Sequence, residues 1–421
     1  MATSSYPDLP VRTERIQGDL MALAELTDPA LPYTRQAFTS QDQLGRAWLI
    51  ERMREAGLEV RIDTAANIIG RRKGKQQGGP VVMLGSHIDT VRAGGRFDGM
   101  AGVVSALEVV RCMNEVGWST RHPLEVVGFT CEEPNAFGLS PFGSRVMAGS
   151  LTAERVASAT GQEGKTLAET LALVGGSPDK LDEARRMPGD IVGFLELHIE
   201  QGLVLEREGC SIGVVTAIAA PCRGRCVIQG RADHAGATMM GDRADALAGA
   251  AEVVLALERI CSARDITDTV GTVGHLDLHP NMVNVIPGRV DFLMDVRSTR
   301  QDYLDRVRRE IEDGAQAIAG RRGLTASLEW GSIEEPVAIP EHMQSAIREA
   351  STELGIPWLA LPSRASHDAA RLASITPIGM IFIPSRGGLS HTPEEWTEFE
   401  DVALGARVLG LALMKLDGLQ S

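Results

Sequence analysis

Aromatic side chains are scarce, at 4% of 421 residues, so the core has to be built from aliphatic ones. No stretch reaches the roughly 18 uninterrupted apolar residues that a membrane-spanning helix requires. The first 30 residues also lack a basic start followed by an apolar core, the mark of a secretory signal. Both absences point to a cytoplasmic protein. The six cysteines are scattered, and Cys222 and Cys226 have no second pair to complete a zinc site, so reduced structural thiols are expected. Positive charge is short as well. With 42 Lys and Arg against 56 Asp and Glu, the net charge of −14 argues against nucleic acid and against an anionic membrane surface as partners. An anionic substrate would need locally placed cations. Repeats and low-complexity tracts are missing, and the length suits two domains of ordinary size.

What the chain does contain is a set of apolar strands that end in potential metal ligands. Residues 81–84 (Val-Val-Met-Leu), bounded by Gly and Pro, read as a strand buried on both faces. His87 emerges beyond them. Asp98 precedes a segment whose Val103, Leu107 and Val110 fall at helical spacing. A second apolar run, 124–130, ends in Cys131-Glu132-Glu133; a third, 193–197, ends in His198; a fourth, 378–383, leads into a Pro- and Gly-rich loop carrying Ser390-His391. Open α/β sheets build their sites in the crevice beyond the carboxyl ends of the strands.

The segment 224–328 has a different texture. Its alternation of strand, helix, two strands, helix and strand is that of a ferredoxin-like module, and its last helix is marked by the stripe Leu304, Val307, Ile311, Ala315 and Ile318. Because the strand at 378–383 has to rejoin the first set, the module reads as an insertion. The expected division is 1–217 and 332–421 for the metal-binding α/β domain and 218–331 for the inserted one. Within the first part, Ser40 is the candidate N-cap of a helix that Gly57 stops, and residues 151–186 read as short, charged surface helices.

Imidazoles and carboxylates together suit zinc, manganese, cobalt or nickel. Three histidines and two or three carboxylates are too many for one tetrahedral ion, whereas two ions sharing Asp98 would use them all. The side chains of adjacent Glu132 and Glu133 diverge, so one can ligate while the other stays free as a general base. Asp89, two residues past His87, is placed to accept that imidazole's other ring N–H. His122, His275, His279 and His342 lack such context and read as ordinary polar positions.

The motifs Gly85-Ser-His-Ile-Asp-Thr-Val91, Asp98-Gly-Met-Ala-Gly102, Glu132-Glu133, Glu196-Leu-His-Ile-Glu-Gln-Gly202, Gly230-Arg-Ala-Asp-His-Ala-Gly236, Pro280-Asn-Met-Val-Asn-Val-Ile-Pro-Gly288 and Pro384-Ser-Arg-Gly-Gly-Leu-Ser-His391 resemble those of the hydantoinase/carbamoylase amidases. That family includes N-carbamoyl-L-amino acid hydrolases, β-ureidopropionases and allantoate amidohydrolases, and is related to the dimetal exopeptidases. The resemblance implies a mixed central sheet flanked by helices, with an inserted ferredoxin-like lid and dimerisation domain. It implies two divalent ions per subunit, one held by His87, Asp98 and His198 and the other by Asp98, Glu133 and His391, with Glu132 as base. It further implies that Gln201, Asn284, Arg297 and Gly388 bind substrate, and that His234 reaches a neighbouring active site in a homodimer to stabilise the oxyanion.

The activity so implied is hydrolysis of a non-peptide C–N bond in an N-carbamoyl amino acid or a related ureido carboxylate. The nearest rival is a dimetal aminoacylase or dipeptidase on the same fold. His198 weighs against it, because peptidase relatives usually carry a carboxylate there, and the Glu-Gln-Gly that follows is carbamoylase-like. A metal-binding scaffold without catalysis is disfavoured by the presence of Glu132 beside every ligand. One departure concerns substrate: where relatives have Gly-Ala-Gly-His-Asp-Ala, this chain has Arg364-Ala-Ser-His367-Asp-Ala.

Overall fold

The computed structural model describes residues 6–76, 78–161, 164–266, 268–331 and 334–418. The chain divides into two compact units. One runs to Thr216 and resumes over Ile339–Leu361 and from His367 onward; the other comprises Ala217–Ala338 with Pro362–Ser366.

The first unit is organised by a mixed sheet. Seven of its nine strands run in the order Glu59–Ile62, Ile68–Arg72, Leu124–Phe129, Val81–His87, Ile191–Ile199, Ile378–Ile383 and Ile212–Ile218, and the last also pairs with Val337–Ala338 and Trp358–Ser363. The four middle strands are parallel, and the flanking pairs are antiparallel. Val81–His87, Leu124–Phe129 and Ile378–Ile383 are buried at every residue. Burial without alternation, in mainly apolar runs, is what a sheet covered by helices on both faces requires. Side chains alternate across such a strand, so Leu195 and Leu197 face one layer of helices while Glu196 and His198 face the other. Gly379 and Gly405 lie against Leu195 and Leu197 on the first side, and His367 and Ala369 meet His198 and Glu196 on the second.

Two local readings need adjustment. The helix that ends before Gly57 is capped by Thr39, whose hydroxyl accepts from the Asp42 amide, one residue before the expected Ser40. The short helices between 151 and 186 are not merely surface pieces: Val156, Leu167, Leu171 and Leu181 are buried with Ala65, Ala66 and Phe142 in a small core of their own.

In the second unit a four-stranded antiparallel sheet has the order Thr325–Trp330, Ala220–Gln229, Arg289–Ser298, Thr269–His279. Helices Ala246–Cys261 and Gln301–Arg322 supply its core, with Leu304, Val307, Ile311, Ala315 and Ile318 all buried. The residues of Ala220–Gln229 alternate between buried and more exposed, as expected of a sheet covered on one face only. The element order is β-α-β-β-α-β. Val337 and Ala338 pair with Ile218 and Ala217 and belong to this unit, past the expected boundary at 331.

The helix Met100–Glu115 brings Asp98 to the sheet, and Gly102 sets how closely it packs. A Cβ at Gly102 would lie 2.3 Å from the Leu197 carbonyl oxygen and 2.8 Å from Ser86 Cβ. Neither is a flexible side-chain tip, so Gly102→Ala should force the helix off the strand that carries His198. Overpacking of this kind costs about 1–3 kcal/mol. Urea denaturation should register that loss, and an unchanged midpoint would show that the helix has slack.

Candidate metal centre

His87 and His198 stand at the ends of neighbouring parallel strands, and each ring is oriented from behind by a main-chain carbonyl. His87 Nδ1 lies 3.0 Å from the Asp89 oxygen, and His198 Nδ1 lies 2.9 Å from the Ile199 oxygen. A carbonyl only accepts, so both Nδ1 atoms carry the proton and both Nε2 lone pairs point inward. They converge on one oxygen of Asp98, with Oδ1 3.4 Å from His87 Nε2 and 3.2 Å from His198 Nε2. His391 Nε2 approaches the other side of this group, 3.3 Å from Asp98 Oδ2 and 3.3 Å from Glu133 Oε1. The structure thus brings together two donor triplets, His87–Asp98–His198 and Asp98–Glu133–His391, which share Asp98.

Lone pairs aimed at carboxylate oxygens repel unless positive charge sits between them. Separations of 3.2–3.4 Å match two donors about 2.0–2.2 Å from one ion at a near-tetrahedral angle. The donor chemistry, histidine nitrogen with carboxylate oxygen, therefore fits zinc-like divalent ions. The electrostatics agree. Burial works against charge on His87 and His198, yet the surrounding carboxylates, Asp98 above all, leave both with raised pKa values. His391 is raised to about 9, chiefly by its hydrogen bond to Asp98. Asp98 is buried, which alone would raise its pKa, but the three imidazoles hold it well below the usual carboxylate range. Burial pushes Glu132 well up and Glu133 to about 8, the latter aided by the nearby Asp98 charge. The cluster is short of positive charge at its centre.

Glu132 belongs to neither triplet and reaches within 3.9 Å of His87 Nε2. The chain enters this pair of glutamates through Cys131, a non-glycine residue with φ of 57°. Asp89 holds the turn in place. Its carboxylate accepts the Glu132 amide at 3.2 Å and the Glu133 amide at 3.1 Å. This corrects the expected role of Asp89: the main-chain oxygen serves His87, and the carboxylate, 3.7 Å from the ring nitrogen, serves the glutamate turn.

Gln201 also lies against the cluster. Its amide nitrogen donates to Asp98 Oδ2 at 2.6 Å, and its buried Oε1 has no hydrogen-bond partner among the described residues. Gly388, at φ 66°, packs on the Gly202–Leu203 backbone, where a Cβ would come within 3.0 Å of Gly202 C. Its close packing gives it a structural reason to be glycine. The other sequence candidates belong to the second unit. His234 is exposed on a two-strand ribbon, Asp233–His234 paired with Val285–Ile286, and its Nδ1 accepts the amides of Gly236 and Ala237 at 3.0 and 3.1 Å. The accepting Nδ1 leaves Nε2 as the N–H donor. Asn284, adjoining the ribbon, is exposed. Arg297 is held side-on by Asp295, Nε and Nη2 each 3.1 Å from a carboxylate oxygen, and its Nη1 donates to the Arg364 carbonyl at 3.3 Å. Arg364 itself pairs with Asp268.

Several neighbours escaped sequence reading. Glu196 accepts the Ser86 hydroxyl at 2.7 Å and the Ala369 amide at 3.1 Å, and the buried His367 ring stacks edge-on against His198 with centroids 4.6 Å apart. Glu196 and His367 form a third donor group with His198. Glu196 sits two residues before His198 on the same strand face, the one local signal that could have exposed it.

Comparison with known proteins is consistent with this arrangement. The model of peptidase family M20/M25/M40 matches residues 83–415. An N-carbamoyl-L-amino acid amidohydrolase of Geobacillus stearothermophilus is 43% identical over 400 residues, 95% of this chain and 97% of that protein. A ureidoglycolate hydrolase of Arabidopsis thaliana is 38% identical over 97% of this chain and 87% of its own. Among solved structures, a hydantoinase/carbamoylase family amidase from Burkholderia multivorans superposes with a TM-score of 0.88 at 37% identity, covering 97% of this chain and 99% of that one. With the match running from the strand of His87 through the loop of His391, the chain belongs to peptidase family M20/M25/M40 and, within it, to the hydantoinase/carbamoylase amidases.

Proposed function

We propose that this protein is a metal-dependent amidohydrolase that cleaves a non-peptide C–N bond of an N-carbamoyl L-amino acid or a related ureido carboxylate such as β-ureidopropionate or allantoate. The observation that carries the reading is the division of the carboxylates: Asp98 and Glu133 are taken up by the two donor triplets, and Glu132 is left over beside them. The substrate class follows from relatives that match over nearly the whole chain and are named for N-carbamoyl amino acids, ureidoglycolate and allantoate. Two divalent ions, zinc, manganese, cobalt or nickel, would be held by His87, Asp98 and His198 and by Asp98, Glu133 and His391. When bound, such ions supply Lewis acidity and lower the pKa of water.

The chain's own residues do the rest. Glu132, oriented by the Asp89-capped turn, accepts a proton from the attacking water and hands it to the leaving nitrogen. His234 donates its Nε2–H to the oxygen that becomes negative. Arg297, with its side-on edge occupied by Asp295, pairs the substrate carboxylate through its remaining N–H groups, assisted by Asn284 and Gln201. The second unit acts as lid and dimerisation domain, and His234 serves the partner's site. In support, Met239, Met240, Met282 and Val283, all more than half exposed, lie in the loops beside the His234 ribbon, and grouped apolar exposure of this kind marks an interaction surface. Among the described residues no helix is long and apolar enough to cross a membrane, and a cytoplasmic location is part of the proposal.

The defining experiment is a panel of N-carbamoyl amino acids, β-ureidopropionate, allantoate and simple dipeptides, offered to protein loaded with each of the four metals. Turnover of dipeptides alone would move the reading to a peptidase. Glu132→Gln keeps the shape of the base and removes its proton affinity, so kcat should fall about 10²- to 10⁴-fold with metal content unchanged. If that variant loses metal and Glu133→Gln retains it, the roles of the two glutamates are reversed.

His234→Ala should lower kcat about 10²- to 10³-fold, the typical effect of removing one oxyanion donor. Mixing it with Glu132→Gln should restore activity, because half of the sites in a mixed dimer would combine an intact base with an intact donor. Subunits that exchange and recover nothing would place His234 in its own chain's site or outside the reaction.

A further inference from the structure

The loop that carries Asp98 and the loop that carries His391 are far apart in sequence and meet at one buried side chain. Glu395 has no exposed surface. One of its oxygens accepts the Phe97 amide at 2.8 Å and the Asp98 amide at 3.1 Å, and the other accepts the Ser390 hydroxyl at 2.8 Å. Ser390 Oγ also lies 3.0 Å from Asp98 Oδ2, so the contact extends to the shared carboxylate itself. Gly95 makes room for the group, since a Cβ there would fall 1.9 Å from Glu395 Oε1. Around this contact, the Arg96 guanidinium is sandwiched between the rings of Tyr33 and Trp396, each 4.6 Å away, and Arg386 donates its amide to the Trp396 carbonyl.

We propose that Glu395 is a positioning residue that clamps the Asp98 and His391 loops at the spacing the Asp98–Glu133–His391 triplet needs. The inference rests on the two-ion reading above. The effect should be selective. His87 and His198 end paired strands and are aimed by main-chain carbonyls. The close approach of Gly99, where a Cβ would meet the His87 ring at 2.5 Å, seats Asp98 beside that ring in addition to the amide bond to Glu395. His391 has no such support: it sits in an irregular loop at φ 58°, its side chain 47% exposed.

The test is a titration of metal-free, full-length protein with Zn²⁺ in competition with a chromophoric chelator, with the thermal midpoint measured in parallel. Wild type should take two ions. Glu395→Ala should bind one of them about 10- to 100-fold more weakly, the usual effect of losing a partner that orients a ligand, and the other as before. Glu395→Gln should restore most of the loss, because its oxygen still accepts both amides and its nitrogen can donate to Ser390. Should the alanine variant fail to fold, Ser390→Ala cuts the link to the His391 loop while leaving the buried carboxylate in place, and should weaken the same ion. Equal weakening of both ions together with a lowered midpoint would reduce Glu395 to general stability and overturn the proposal. Two ions bound at wild-type affinity in both the alanine and serine variants would overturn it alone. Wild type that saturates with a single ion would remove the two-ion reading and this inference with it.

Discussion

The shared carboxylate of Asp98 is the constraint on which the rest of the site depends. Three imidazole nitrogens, the Gln201 side-chain amide and the Ser390 hydroxyl all lie within 3.4 Å of its two oxygens, and Asp98 itself is buried. A buried carboxylate without such partners would be neutral, since moving an isolated charge out of water costs far more than a fold can supply. The Gln201 side-chain amide donates to Asp98, and positive charge at the three imidazoles favours its charged form; these groups meet there because three parallel strands deliver His87, His198 and the His391 loop to the same end of the sheet.

Holding these groups so close requires unusual backbone. Cys131, Gln201 and His391, three positions in or next to the cluster, adopt positive φ without being glycine. Each such residue costs on the order of 1–3 kcal/mol and persists only where its surroundings over-determine it. The surroundings here can be named. Asp89 caps the turn after Cys131, the Ser385 hydroxyl accepts the Gln201 amide at 3.0 Å, and the Ser390–Glu395 contact backs His391. Each strained residue is thus held by a hydrogen bond from or next to its own turn, which is how a set of loops can behave as a rigid frame.

Arginines in both units are paired with carboxylates: Arg15 with Glu108, Arg111 with Asp19 and Arg186 with Glu125 in the first, Arg225 with Asp291, Arg297 with Asp295 and Arg364 with Asp268 in the second. The carboxylates of the cluster are set apart by having histidines, not arginines, as their neighbours. A guanidinium paired side-on, as Arg297 is by Asp295, is fixed in direction and still has N–H groups to offer.

The sequence by itself determined which strands would be buried and which residues would stand at their ends. Mainly apolar runs shortly before His87, Glu132, His198 and His391 are local signals, and a local signal survives without tertiary context. The same holds for the stripe from Leu304 to Ile318 and for the β-α-β-β-α-β order. Tertiary structure alone decided the contacts that turn those residues into a site. Asp89 meets the amides of Glu132 and Glu133 across 43 and 44 positions, Gln201 meets Asp98 across 103, and Glu395 meets the Phe97 and Asp98 amides across 298 and 297. Those pairings are absent from the periodicity of any one segment, because a side chain's direction at a strand end or in a loop is set by what packs against it. For that reason the sequence could name Asp89 as a partner of His87 yet not say which of its oxygens would serve the imidazole and which the glutamate turn.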